Sequence, residues 1–452
     1  MDPLTWINYL NIYILFKMFV LISTEIWQFR NEIKSILDQT YRGWVQKDED
    51  FMSNVSTCAL ACRLLRMDGY DVTSEYLAQY EERNSVDNSM EGYKIDVNAV
   101  LELFKASHVK IFPPEEVLDK LNSWTSHFLR EELSTFMTND LQNVFKEVDY
   151  ALKFPLYANL DRLEHKRNIE QSRIEDFQIL KTACISHGVD KKDILELALD
   201  EFKMCQSIYQ KELTDLERWT KENKLDQLKF ARQKVAYCYL AASGVMQINI
   251  IFSEKMQKFD IDLHGFWQWL SLLKSMMEEA EWLRNKSVPT LDEYMENGYV
   301  SFALGPIIIP ALYFIVPDLP EDIVDDPEYQ NLYRLVSTGG RLLNDIHSLE
   351  RGKEGKLNSV ALRILHGNSS VSEEEAKRDT MNLINSTRCE LLRMVLQNKA
   401  SVVPRACKEF FWNMSRTMHL IYLRTDGFSS PKEMVSAVNA VIYEPLDVSH
   451  LF

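Results

Sequence analysis

The sequence predicts an all-α fold, and three observations predict it. Only 14 glycines and 13 prolines punctuate 452 residues, too few turn signals for a chain of short strands. The stretches between them are rich in Leu, Glu, Lys and Met, which favour helix. Apolar residues return at three- and four-residue intervals between short polar gaps, the stripe that a helix presents to a core. With 46% hydrophobic and 26% charged residues, the composition is that of a globular protein of two or three domains.

Leu4 to Ile22 is apolar, but Asn8, Asn11 and Lys17 interrupt it where a membrane-spanning helix tolerates them least, so membrane association is not expected. Amphipathic helices are predicted over Asn31–Val45, Val55–Gly69 and Val97–Ser107. The charged run from Arg162 to Asn168 separates an N-terminal helical third from a longer C-terminal region rich in Trp, Phe and Tyr, and a domain division is placed near Asn168. Farther on, Ser372 and Glu375 have the spacing of a capping box, and Ile384, Leu391 and Val395 share one face of the helix it opens. No period of 20 to 50 residues recurs, so a globular array is predicted rather than a solenoid.

A net charge of −16 leaves no broad basic surface for nucleic acid. Seven scattered cysteines, Cys58, Cys62, Cys184, Cys205, Cys238, Cys389 and Cys407, form no metal-ligand pattern and read as reduced, mostly buried thiols. The constellation closest to chemistry is Asn344–Asp345–Ile346–His347–Ser348. On a helix, Asn344 and Ser348 lie about 40° apart on one face, so two side-chain oxygens point the same way. Hard divalent ions such as Mg²⁺ take oxygen ligands of this kind and often bridge to substrate phosphates. Spacing alone favours the plainer reading, a polar helix face.

Several tracts resemble plant class I diterpene synthases of the ent-kaurene synthase type. The tract from Thr338 through Asn344 to Ser348, followed by Glu354 to Ser359, is similar to the second metal-binding motif of plant terpene synthases. RNEIKSILDQTYRGW from Arg30, LRMDGYDV from Leu65, SWTSHFLREEL from Ser123 and ALKFPLYANLDRLEHKRNIE from Ala151 carry the likeness through the first third. LKFARQKVAYCYLAAS and MENGYVSFALGPIIIPALYF continue it. The resemblance implies a C-terminal α-helical bundle (the class I α domain, 169–452) preceded by a partial helical β domain of the α-barrel type (29–168). Residues 1–28 lie outside the likeness.

The resemblance also implies a chemistry. The substrate is expected to be a prenyl diphosphate, ent-copalyl diphosphate, ionised with Mg²⁺ (or Mn²⁺ in its place) and cyclised to a polycyclic alkene in diterpenoid, gibberellin-type biosynthesis. Metal ligands map to Asn344, Asp345, Ser348 and Glu354, and diphosphate-binding cations to Arg341 and Lys356. Phe302, Ala303 and Ile307 map to the apolar cavity, with ordinary core packing as their other reading. The implied location is the plastid, although no transit peptide is visible. A homodimer, or a dimer with an intact paralogue, is the other partnership implied.

The chain also departs from the family pattern. Class I synthases clamp their ions between the motif at Asn344 and a DDxxD helix. Here Ser243 runs within a few residues into Gln247–Phe252, which resembles a stretch beyond that helix, so a block containing DDxxD is expected to be deleted near residue 244. The pair Asp325–Asp326 has Tyr329 where a third Asp would stand and reads as a loop. The glutamate that normally lies eight beyond Asn344 is replaced by Gly352. Glu350 points elsewhere on a helix, and Glu354 substitutes only if the helix ends near that glycine. Asp48–Glu49–Asp50 is not a DxDD acid, so protonation-initiated cyclisation is excluded. The resemblance therefore implies impaired ionisation, or a non-catalytic helical homologue.

Overall fold

A computed structural model describes residues 26–47, 52, 54–80, 96–112, 114–136, 143–171, 191–222, 263–316, 319–349, 357–367, 371–397, 400–424 and 432–448. Every regular element among them is helical, as the sparse turn residues predict. Contacts divide the chain into two compact units, one of Met1–Ser207 with Ala440–Phe452 and one of Ile208–Asn439. The apolar segment Leu4–Ile22 and the junction near residue 244 lie outside the described residues. Among those described, no helix is long and apolar enough to cross a membrane.

In the first unit, α1 (Ile26–Gln46), α2 (Val55–Met67), α3 (Val97–Ser107) and α4 (Glu116–Phe136) precede α5 (Asn143–Lys153) and α6 (Asp161–Gln171). Helix α2 starts where the Asn54 side chain accepts the Thr57 N–H, which satisfies one of the orphan donors of the first turn. Leu65, Leu103 and Leu121 from α2, α3 and α4 meet in one core, and Phe104, Leu129 and Val148 form a second. The core also buries Arg66, 1% exposed. Its guanidinium pairs with Glu115 and donates to the carbonyls of Val72 and Val109, so no charge is left uncompensated.

The charged run Arg162–Asn168 is folded into this unit. It is helix α6, and Arg162, His165, Lys166, Arg167 and Asn168 are all buried. Arg162 reaches Glu201 through two bonds of 2.8 and 2.9 Å, and Arg167 pairs with Glu147 and stacks 4.1 Å above the Tyr150 ring. Lys166 donates to the Pro445 carbonyl, tying the C-terminal residues to the same unit. These charges form a polar core, and contacts group the chain as far as Ser207 with this unit. The domain division near Asn168 stays a proposal.

Helix α7 (Lys191–Glu222) runs from the first unit into the second, which continues with α8 (Leu263–Asn285), α9 (Leu291–Ser301), α10 (Gly305–Ile315) and α11 (Pro327–His347). Then come α12 (Ser359–His366), α13 (Glu373–Leu396), α14 (Arg405–Ile421) and α15 (Lys432–Val438). Helix α11 packs against α9, α13 and α14. The capping box of Ser372 and Glu375 opens α13 as expected, and Ile384, Leu391 and Val395 are buried along it. Asp326 caps α11 by accepting the Glu328 N–H, a structural task that agrees with the loop reading of the Asp pair. Cys58, Cys62, Cys205, Cys389 and Cys407 are buried free thiols; Cys184 and Cys238 lie outside the described residues.

One face of α8 is unusual. Trp269, Leu273, Met276, Met277 and Leu283 are each more than half exposed and fall within about 120° of the helix circumference. Leu272 and Ser275, on the adjoining sector, are buried. An apolar helix of this kind is built to be covered on two sides.

Candidate functional site

Three helices of the second unit, α8, α9 and α11, build the site. Helix α9 begins with a complete Thr290–Glu293 capping box and ends at Phe302, after which Ala303 adopts a left-handed φ of 69°. That conformation costs a non-glycine residue about 1 kcal/mol or more, and it turns the chain into α10. Phe302 then lies against α11 at Gly340. A Cβ there would stand 2.2 Å from the Phe302 ring and 2.5 Å from the Met418 sulfur, so only glycine fits.

On α11, Asp345 is 2% exposed, and its carboxylate is fully engaged. The Tyr294 hydroxyl donates to it from 3.0 Å, the Ser359 N–H donates at 3.0 Å, and Arg341 Nε lies 3.2 Å away. Burial pushes the Asp345 carboxyl up from its usual range, against the pull of Arg341 and the donors around it. Arg341 in turn donates through Nε and Nη2 to the Tyr294 hydroxyl, at 2.9 and 2.5 Å. Through Nη1 it donates to Glu279 and Ser301, both at 3.0 Å. Asn358 completes the network: its amide donates to the Asp345 carbonyl at 2.6 Å, while its oxygen caps α12.

Asn344 and Ser348 close the last turn of α11, where the Ser348 N–H bonds the Asn344 carbonyl at 2.8 Å. The Asn344 amide group donates to the Tyr422 hydroxyl at 2.9 Å, and its oxygen accepts no hydrogen bond among the described residues. The Ser348 hydroxyl has a long, 3.5 Å contact from Asn358. Two neutral oxygens one turn apart, at the negative end of a helix dipole, suit a hard divalent ion but fill only part of its shell.

The structure thus brings Asn344 and Ser348 to one helix end, and it pairs Asp345 with Arg341 instead. Expected among the metal ligands, Asp345 instead spends both oxygens on Tyr294, Ser359 and Arg341. Among the described residues no cluster of three or more His, Cys, Asp or Glu is arranged for a metal. Glu354, Lys356, Glu350 and Gly352 lie outside the described residues. Phe302 and Ala303 are half-buried, whereas Ile307 on α10 is 56% exposed. Sequence reasoning missed Glu279, Tyr294, Ser301, Asn358 and Tyr422. Asn358 had a local signal, an N-cap residue before a helix. The others meet α11 only through the fold.

The arrangement can be set beside known proteins. Residues 256–390 match the family model for the terpene synthase family 2 C-terminal metal-binding domain, and residues 27–152 match that for the terpene synthase N-terminal domain. The chain is 44% identical to ent-kaur-16-ene synthase, chloroplastic, of Oryza sativa subsp. japonica, with 92% of this chain and 64% of that protein covered. It is 41% identical to ent-kaurene synthase-like 1 of Ricinus communis, covering 92% and 66%. It therefore spans just under two thirds of the length of these curated relatives. The rice alignment runs over 489 positions, more than the 452 residues present, so it opens gaps on this chain's side.

Two solved structures share the fold. Abietadiene synthase from Abies grandis superposes with a TM-score of 0.79 at 23% identity, over 98% of this chain and 68% of that one. Isoprene synthase from grey poplar leaves gives 0.74 at 20%, over 97% and 96%. Two terpene synthase domain models, matched over residues 27–152 and 256–390, lead to one conclusion: the chain belongs to the terpene synthase family.

Proposed function

We propose that this chain is a diterpene synthase of the ent-kaurene synthase type, acting on ent-copalyl diphosphate, whose ionisation step is impaired. The observation that carries the substrate and product class is the 44% identity to the rice ent-kaur-16-ene synthase across 92% of the chain. In the reaction, the allylic C–O bond breaks with its electron pair leaving on diphosphate. The carbocation cyclises, and a proton is lost to give the alkene. The chloroplastic relatives support a plastid location.

Arg341 stands where a guanidinium would neutralise the departing diphosphate. Asn344 and Ser348, with Glu354, would hold Mg²⁺, with Mn²⁺ as its substitute. The ion, when bound, supplies positive charge at the leaving group, the largest electrostatic demand of the step. The poplar isoprene synthase structure is described with three Mg²⁺ ions and dimethylallyl-S-thiolodiphosphate, which supports this assignment of ligand chemistry. Phe302, Ala303 and Ile307 would face the hydrocarbon.

Impairment is supported by two observations that a missing DDxxD helix would explain together: the gaps on this chain's side of the alignment and an apolar face of α8 left more than half exposed among the described residues. They equally favour a second reading, a non-catalytic homologue whose α8 face pairs with a second chain. The test is incubation of the purified chain with Mg²⁺ and ent-copalyl diphosphate, with hydrocarbon detected by gas chromatography and mass spectrometry. Trace product that is lost in Asn344→Ala supports an impaired synthase. Abundant product refutes impairment, and no product from a folded chain supports the non-catalytic homologue.

A further inference from the structure

We propose that Glu279 is a built-in counter-ion for Arg341: it occupies the edge of the guanidinium that an incoming diphosphate would take, and it must be displaced for that anion to bind. The inference rests on the reading of Arg341 as a diphosphate-binding residue and names what competes there.

A guanidinium has five N–H donors in a rigid fork, so its partners can be assigned edge by edge. The Nε and Nη2 side of Arg341 faces Tyr294 and Asp345, which are 0% and 2% exposed. This is the fixed side, because withdrawing Arg341 from it would leave a carboxylate buried without its cation. The Nη1 side behaves differently. Both its donors are spent, one on Glu279 Oε1 and one on the Ser301 hydroxyl, each at 3.0 Å. Ser301 in turn donates to the same Glu279 oxygen at 2.5 Å, closing a three-membered ring of contacts. The Glu279 side chain is 31% exposed, against 13% for Arg341, so solvent reaches the pair from the Glu279 side.

A carboxylate in that position offers Arg341 what a phosphate oxygen would offer, a negative acceptor in the plane of the fork. The two compete for Nη1. A half-wet pair of this kind is weak enough for a multiply charged anion to displace. Glu279 therefore lowers the affinity of the site for an anion by the amount needed to displace it.

The experiment uses the full chain and inorganic diphosphate as the probe, titrated by calorimetry in the presence of EDTA so that no metal contributes. Glu279→Gln keeps the shape and removes the competing charge. Diphosphate affinity is expected to rise roughly two- to fivefold over the unaltered chain. Adding Arg341→Gln to that variant should abolish the gain. Glu281→Gln, which removes an exposed charge two residues away on α8, should leave affinity unchanged and so separates local competition from the overall charge of −16. Ser301→Ala, which frees Nη1 and unseats Glu279 together, provides an independent variant and should also bind more tightly.

Unchanged or weaker binding in Glu279→Gln, an equal gain in Glu281→Gln, or a gain that survives loss of Arg341 each overturns the proposal. Thermal midpoints of all variants establish that they are folded. The underlying functional reading fails separately. Product formed from ent-copalyl diphosphate with no gain in Glu279→Gln defeats the counter-ion and leaves the synthase reading standing. A gain in diphosphate affinity without product from any variant does the reverse.

Discussion

Arg66 and Arg341 are the same side chain doing similar work in the two units, and the difference between them lies in what surrounds each. Arg66 and its partner Glu115 are 1% and 8% exposed, and protein groups take every contact: Ser74 and the Ile111 N–H complete the carboxylate. Such a clamp has no place for a ligand. Arg341 shares one closed side with Asp345 and Tyr294, but its other side meets Glu279 at 31% exposure. A buried pair becomes a binding site only where one partner is exchangeable with something from solvent, and exposure of that partner marks it.

The largest expected effect tests the closed clamp. Arg66→Met leaves Glu115 buried without its cation and should destabilise the first unit by about 3–5 kcal/mol, read as a fall in the urea midpoint monitored by circular dichroism. A loss below about 1 kcal/mol would mean that water already enters the clamp.

Next is an acid titration of the neighbouring cluster in the same unit. Burial by itself would raise the Glu147 carboxyl, but Lys105 at 2.9 Å and Arg167 outweigh it and hold it at about 2, against an ordinary 4.5. Because the folded value is the lower one, the stabilisation is complete above about pH 4.5 and is lost as pH falls toward 2. It amounts to roughly 3 kcal/mol. Unfolding midpoints at about pH 5 and about pH 3 should therefore differ more for the native chain than for Glu147→Gln.

In the second unit, Gly340→Ala places a methyl group against Phe302 and Met418 and should cost about 1–3 kcal/mol by overpacking, visible in the thermal midpoint. Asn358→Ala removes both the cap of α12 and the bond to the Asp345 carbonyl, for about 1–2 kcal/mol. The smallest change should be Glu279→Gln, under about 1 kcal/mol in stability, since its pair is half-wet. A loss as large as that of Arg66→Met would make Glu279 a clamp residue too and erase the contrast.

Much of the fold could be read from residue order. The range Val97–Ser107 is the same in expectation and structure, Val55–Gly69 ends two residues early at Met67, and the Ser372–Glu375 box forms as spaced. The site was legible in part. Asn344 and Ser348 do end one helix together, but Asp345, between them in sequence, points into the core. One step along a helix turns a side chain by about 100°, which is enough to send neighbours to opposite environments.

Helix positions, caps and the pairing of Asn344 with Ser348 depend on contacts three or four residues apart, so the order of residues fixes them without help from the rest of the chain. The fate of the charges depends on distant partners. Arg162 meets Glu201 39 residues away, Tyr294 meets Asp345 51 away, and Arg341 meets Glu279 62 away. Whether a charge is solvated, clamped or exchangeable is set by the dielectric around it and by which opposite charge the fold carries to within about 3 Å. Those quantities come into being when the helices pack, which is why the sequence by itself does not show that the run at Arg162 is core in the protein.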